Sequence, residues 1–262
     1  MERTSIKYLK ILGSKINKAI SPKLTGVYLH GSLAMNFFDA TRSDINLLIV
    51  VNQDLSLEEK EKIMTILYEL DKTGPARGIE FSVILEKHAK CSTYPLPFLL
   101  HYNHKYKDLY LSDPIAYCEN MNGLDKNLTS SIMLTYHRGI VLFGKPIKSV
   151  FKEPSKSHYL DSVFSIIKLC TSDLENESLN LYLNLVKTIA YLKSDLILSK
   201  GESIFRAKEN FDENQLNLLN KISSIFLTGA KINLEEKEFD EFLIYASKEI
   251  KSLLPSARQK MQ

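Results

Sequence analysis

The sequence predicts an α+β chain in two parts, a strand-bearing N-terminal part followed by an all-helical one. The apolar run "INLLIVV" (Ile45 to Val51), rich in branched side chains, reads as a strand covered on both faces, and "IEFSVIL" (Ile79 to Leu85) reads as a further strand. Segments with apolar residues at helical spacing lie before and between them. From about Tyr159 onward the pattern is helical only.

In chain order, Ile6, Leu9, Ile16 and Ile20 recur at helical spacing and predict an N-terminal helix that stops at Pro22. The apolar run Val27, Tyr28, Leu29 predicts a short strand that runs into Gly31. Ile45 to Val51 follows as a central strand. "SLEE" at Ser56 to Glu59 is a capping box, and it opens a helix that buries Ile63, Ile66, Leu67 and Leu70 before "TGPARG" ends it. Ile79 to Leu85 is the third strand. The Pro- and aromatic-rich stretch "TYPLPFLLHYNHKYKDLYL" predicts a loop and a helix start lining one wall of a cleft, with His101 and His104 as loop residues. Helix is expected again from Thr129 to Leu142. "FGKPIKSVFKEPSKS" carries two prolines between periodic segments and marks the domain boundary, dividing the chain into residues 1–154 and 155–262. Beyond it, Leu181, Leu185, Ile189, Leu192 and Leu196 mark one face of a long helix, with further helices near Asp212 to Phe226 and Glu235 to Leu253.

Composition narrows the function classes. A chain of 262 residues with 44% hydrophobic and 25% charged residues has room for two folded domains sharing a cleft. A net charge of +3, with bases and acids interspersed, lacks the one-sided basic stripe of a protein that tracks a nucleic-acid backbone. Cys91, Cys118 and Cys170 lie far apart without CxxC spacing, which argues against a disulfide framework or structural zinc and predicts free buried thiols. Charges run through the first ten residues, and no window of about 18 apolar residues occurs. A cytoplasmic protein with neither nucleic-acid nor membrane partner is expected.

The chemistry-bearing residues cluster around the three strands. Gly31 after a strand lets backbone approach a phosphate closely, and Ser32 adds an amide and a hydroxyl. Asp44 and Asn46 are two apart at the start of a strand, a spacing that turns both oxygens to one face and toward one metal ion. Glu80 opens the next strand in an apolar context, where a carboxylate is costly to bury alone. It sits either at the strand's wet end or beside a cation, where it can accept a proton from an attacking hydroxyl.

The order strand, "HGS", loop, "SDIN", strand, helix, "IEFSVIL" resembles the polymerase β-type nucleotidyltransferase fold, whose pattern is GS, a spacer, D-x-D and a later acid. More narrowly, the chain resembles the aminoglycoside nucleotidyltransferases of the streptomycin/spectinomycin adenylyltransferase type. The shared stretches are "GVYLHGSLA", "RSDINLLIVV", "TYPLPFLLHY", "GIVLFGKP" and "LNLYLNLVKTIAYLKSDLILSKGE", which together span nearly the full length. The resemblance implies a mixed sheet with flanking helices in the first domain, a closing helical domain, and an active site between them. It implies ATP as co-substrate and Mg²⁺ as cofactor, with Gly31 and Ser32 at the phosphates, Asp44 and Asn46 as metal ligands, and Glu80 both at the metal and as general base. It carries Lys187 and Lys200 over as cations for the triphosphate; by themselves both read as solvated helix-surface lysines. Lys187 stands where relatives often have Arg, which keeps the charge and loses the fork. The acceptor implied is a hydroxyl of an aminoglycoside or aminocyclitol such as spectinomycin or streptomycin, taken by a monomer. Relatives that accept streptomycin use a Trp and acids just before the long helix. This chain has no Trp, and "TSDLENES" offers Asp173, Glu175 and Glu177, of which Asp173 and Glu177 are the candidates for a cationic drug. Asn46 departs from the family's second Asp. A nucleotide-binding homologue without catalysis, or a transferase with another acceptor, stays open on that account.

Overall fold

The structure is a computed structural model that describes residues 2–41, 43–91, 93–207, 213–228 and 236–259. The chain forms two compact units, residues 1–159 and 160–262. The first contains, in order, α1 (Glu2–Ile20), β1 (Leu24–His30), α2 (Gly31–Ala34), β2 (Ile45–Val51), α3 (Leu57–Thr73), β3 (Ile79–Leu85), α4 (Glu86–Cys91), β4 (Leu96–Phe98), β5 (Leu100–Tyr102), α5 (Lys107–Ser112), α6 (Pro114–Asn120), β6 (Gly123–Asp125), α7 (Leu128–Arg138), β7 (Ile140–Gly144) and α8 (Ile147–Val150). The helices α9 (Lys156–Thr171), α10 (Leu174–Ser194), α11 (Lys200–Ala207), α12 (Glu213–Thr228) and α13 (Glu236–Gln259) follow.

The main sheet is mixed, in the order β5-β3-β2-β1-β7. β2 runs parallel to β3 and antiparallel to β1, while β5 and β7 close the two edges antiparallel. Both faces of β2 are covered, which explains its apolar run from Leu47 to Val51. Leu47, Ile49 and Val51 join Leu9, Ile16 and Ile20 of α1 and Ile63, Met64 and Leu67 of α3 on one side. Leu48 and Val50 join Tyr28, Ile84, Leu128, Ile132 and Phe151 on the other. The capping box at Ser56 forms as read, with Ser56 Oγ accepting from the Glu59 amide and Glu59 Oε2 accepting from the Ser56 amide at 2.7 Å.

Three readings change. The stretch after Thr93 holds two short strands rather than only loop and helix start: β4 pairs with β6, and β5 lines the sheet edge beside β3. His101 is therefore a strand residue, its Nδ1 2.8 Å from Ser82 Oγ. The helix expected from Thr129 to Leu142 stops at Arg138 with Gly139 as its cap, and Ile140–Gly144 is a strand against β1. Cys118 and Cys170 are buried free thiols, but Cys91 is exposed.

Taken by itself, the second unit is built on α10. Leu181, Tyr182, Leu185, Val186 and Ile189 are buried, and the Tyr182 ring lies 4.0 Å from that of Phe242 on α13. α10 ends in Asp195, whose left-handed φ of 54° breaks the helix before Leu196. Asp212 and Glu235, expected helix starts, lie outside the described residues. No helix among the described residues is long and apolar enough to cross a membrane.

Candidate functional site

Strand register builds the first cluster. His30 pairs with Asn46 across β1 and β2, and Asn46 pairs with Glu80 across β2 and β3. Directly opposed residues share a face, so these three form one row near one end of the sheet. The face is the one that carries Tyr28, Leu48 and Ile84 farther in, because the intervening residues Leu47 and Phe81 point into the other core. Asp44 precedes β2 by one residue and meets the row through Asn46, whose Nδ2 donates to Asp44 Oδ1 at 2.7 Å.

Gly31 closes the same corner. Its φ is +73°, and a Cβ there would stand 3.0 Å from Asn46 Nδ2, so both conformation and space ask for glycine. The turn that follows uses its own carbonyls: the amides of Met35 and Phe37 bond the Ser32 carbonyl at 3.2 and 2.9 Å. The Ser32 hydroxyl is buried and has no hydrogen-bond partner among the described residues. The sheet thus brings Gly31, Ser32, Asp44, Asn46 and Glu80 to one corner.

His30 is a residue that sequence reasoning passed over, although it begins "HGS". It is 7% exposed, and its Nδ1 also lacks a partner among the described residues. Burial lowers its pKa to about 4 while the charge on Asp44 pulls the other way, so the imidazole is neutral at pH 7. A histidine ending an otherwise buried apolar strand was the available signal.

The donor set suits a hard cation only in part. Among the described residues no three His, Cys, Asp or Glu side chains form a group able to hold a metal. Here two carboxylates and one amide share the corner, and one or two carboxylates with phosphate and water are the usual holding for Mg²⁺. The amide presents nitrogen to Asp44, so metal ligation needs it turned to offer oxygen, an exchange of near-equal shapes. Asp44, Asn46 and Glu80 are then the residues that would hold Mg²⁺.

This geometry makes the Asn46→Asp variant informative. It replaces a hydrogen bond by two facing carboxylates, so without divalent metal the variant should be less stable than wild type by about 1–2 kcal/mol. Thermal melts across a Mg²⁺ titration should show the variant gaining more than wild type. Equal metal response in both proteins would mean that position 46 does not meet the cation.

In the second unit, Lys187 on α10 is partly buried, and burial lowers its pKa to about 8. The charge of Lys200 pushes the same way, and Glu202 opposes it. Lys200 opens α11, where Ser199 and Glu202 form a second capping box, and its Nζ donates to Asn180 Oδ1 at 2.6 Å. Two lysines that read as solvated surface residues are thus neighbours on facing helices, and a like-charged pair is relieved by an anion. Asp173 is exposed just before α10. Glu177 falls in α10, and its side chain lies outside the described residues.

No protein-family model matches the chain, and no curated protein matches it by sequence. Among solved structures, the chain is similar in fold to the spectinomycin adenyltransferase AAD(9) from Enterococcus faecialis, determined with ATP and spectinomycin. The TM-score is 0.75 over 94% of this chain and 98% of that one, at 18% identity. The likeness shows the fold: an α+β sheet unit followed by a helical unit, as in that structure.

Proposed function

We propose that the chain is an ATP-dependent adenylyltransferase of the aminoglycoside nucleotidyltransferase type, moving AMP to a hydroxyl of spectinomycin or streptomycin. It would act as a cytoplasmic monomer on these small molecules, with no nucleic-acid or membrane partner. The supporting observation is the meeting of Asp44, Asn46 and Glu80 at one sheet corner beside Gly31 and Ser32, in a fold like that of a spectinomycin adenyltransferase.

The reaction follows from these groups. Glu80 takes the proton of the acceptor hydroxyl, whose oxygen bonds to the α-phosphorus of ATP. The bond from that phosphorus to the bridging oxygen breaks, and pyrophosphate leaves. Mg²⁺, when bound, neutralises phosphate charge. Gly31 admits the phosphates closely, the Ser32 hydroxyl donates to them, and Lys187 and Lys200 neutralise the triphosphate. Most of the catalysis is positioning and charge.

The acceptor depends on acids, since no Trp is present. Spectinomycin is the favoured drug, and Asp173 with Glu177 leave streptomycin open. The test is mass spectrometry of AMP adducts across spectinomycin, streptomycin and 2-deoxystreptamine drugs. An adduct with spectinomycin is expected; none with any drug, while Mg-ATP still raises the melting temperature, would favour a nucleotide-binding protein that does not catalyse. Asp173→Asn with Glu177→Gln should raise KM for a cationic drug roughly tenfold, as lost charge-assisted contacts do. Unchanged KM would make these acids a solvated loop.

A further inference from the structure

The two segments that deliver the acids, 39–46 and 74–80, are joined by contacts outside the ladder. The Ala76 amide donates to the Ala40 carbonyl at 2.9 Å, and the Ile45 amide to the Gly78 carbonyl at 3.1 Å. The second bond ties the residue between Asp44 and Asn46 to the residue two before Glu80. What holds Gly78 and Ile79 in place is a side chain from the last turn of α3. Asp71 is 8% exposed; its Oδ1 accepts from the Ile79 amide at 2.8 Å, and its Oδ2 accepts from the Tyr102 hydroxyl at 3.2 Å.

Each part of this arrangement is constrained. Gly78 has φ of +70°, and a Cβ on it would collide with Asp71 Oδ1, so the carboxylate occupies the space that glycine leaves. Tyr102 pairs with Phe81 across β5 and β3, stacks on its ring at 6.0 Å, and is flanked by Tyr68, Tyr110 and Tyr117. Burial and the Asp71 charge push its hydroxyl well above the ordinary tyrosine range, so it stays a donor. The carboxylate takes two hydrogen bonds, one beside Glu80 and one from a ring packed among aromatics.

We propose that Asp71 is a positioning residue for the adenylyl-transfer site, fixing the start of β3 and through Gly78 the start of β2, so that Glu80 stands correctly against Asp44 and Asn46. This rests on the function proposed above. Asp71 touches no substrate in this scheme, so its loss misplaces the base without removing a phosphate contact. A misplacement on the order of 1 Å can cost about a hundredfold in rate.

Two measurements on the full chain test it. In steady-state AMP transfer, Asp71→Ala should lower kcat at least about tenfold with KM for ATP within about threefold. Asp71→Asn, which still offers an oxygen to the Ile79 amide, should restore most of kcat, and Tyr102→Phe should fall between. In hydrogen exchange, the Ile45 and Ile79 amides should exchange about tenfold faster in Asp71→Ala, while Leu48 and Val83 stay protected. Should Asp71→Ala be too unstable to assay, Tyr102→Phe carries both measurements, because it keeps the ring and deletes one donor. Wild-type kcat in Asp71→Ala, an Asn variant as poor as Ala, or unchanged exchange at Ile45 and Ile79 would each overturn the proposal. Absence of AMP transfer in wild type would refute the function instead; the exchange measurement then decides whether the clasp exists.

Discussion

Glu80→Gln should lower AMP transfer by about 10²–10⁴-fold while leaving Mg-ATP affinity within a few-fold of wild type. The substitution keeps the side chain's shape in the row with Asn46 and His30, deletes the proton acceptor, and leaves an amide oxygen to face the cation beside Asp44. Stability should hardly change, because the position lies near the start of β3 and is only partly buried. The discriminating comparison is kcat against ATP affinity measured by calorimetry. Retained turnover would refute the role of base; a collapse of ATP binding would place Glu80 among the groups that hold Mg-ATP only.

Lys187 carries the second large effect, and it is pH-dependent. Its pKa near 8 is below the ordinary 10.5, so between these values the unfolded chain binds more protons than the folded one. Stability of the nucleotide-free protein should therefore rise with pH from about 8 toward 10.5. ATP binding has the opposite sign, because phosphate favours the charged amine: affinity should be full below pH 8, fall above it, and be accompanied by proton uptake near pH 8. Calorimetry in buffers of different ionisation heat reads that uptake directly. Lys187→Ala should weaken ATP by roughly ten- to a hundredfold, the scale of a charge-assisted contact. Lys187→Arg should keep affinity and flatten the pH dependence, since guanidinium does not titrate in this range. Proton uptake of equal size in Lys187→Arg and wild type would assign it to another group.

How much was legible depended on where a residue's partners lie in the chain. β2 and β3 follow the sequence reading residue for residue, because a strand buried on both faces is mostly apolar along its length. The capping box at Ser56 was equally visible, since its partners are three residues apart. β7 was not: Ile140 to Leu142 continue the apolar content of α7, and only Gly139 separates helix from strand. β5 hid in a stretch with two prolines, and its strand character comes from Val83 and Phe81 across the sheet. At the site, the two-residue spacing of Asp44 and Asn46 was read as two oxygens turned to one face, whereas the hydrogen bond between them, with the amide nitrogen toward Asp44, could not be read. Lys187 and Lys200 looked like surface charges because they are thirteen residues apart, and only the packing of α11 on α10 makes them neighbours. The capping box of Ser199 and Glu202 at the start of that second helix was passed over as well, although its partners are only three residues apart. Asp71 was silent for the same reason as the lysines: in sequence it is one more acid in a helix's last turn, and Tyr102 and Ile79 become its partners only when the sheet forms.

The most direct measurement follows two labels of ATP in parallel, one in the α-phosphate and one in the γ-phosphate, with spectinomycin present and absent. α-Label should pass to the drug in amounts equal to the pyrophosphate released, no γ-label should pass, and both products should require drug and vanish in Glu80→Gln. Transfer of γ-label, pyrophosphate release independent of any drug, or no transfer to any drug of the panel would contradict an adenylyltransferase built on Asp44, Asn46 and Glu80.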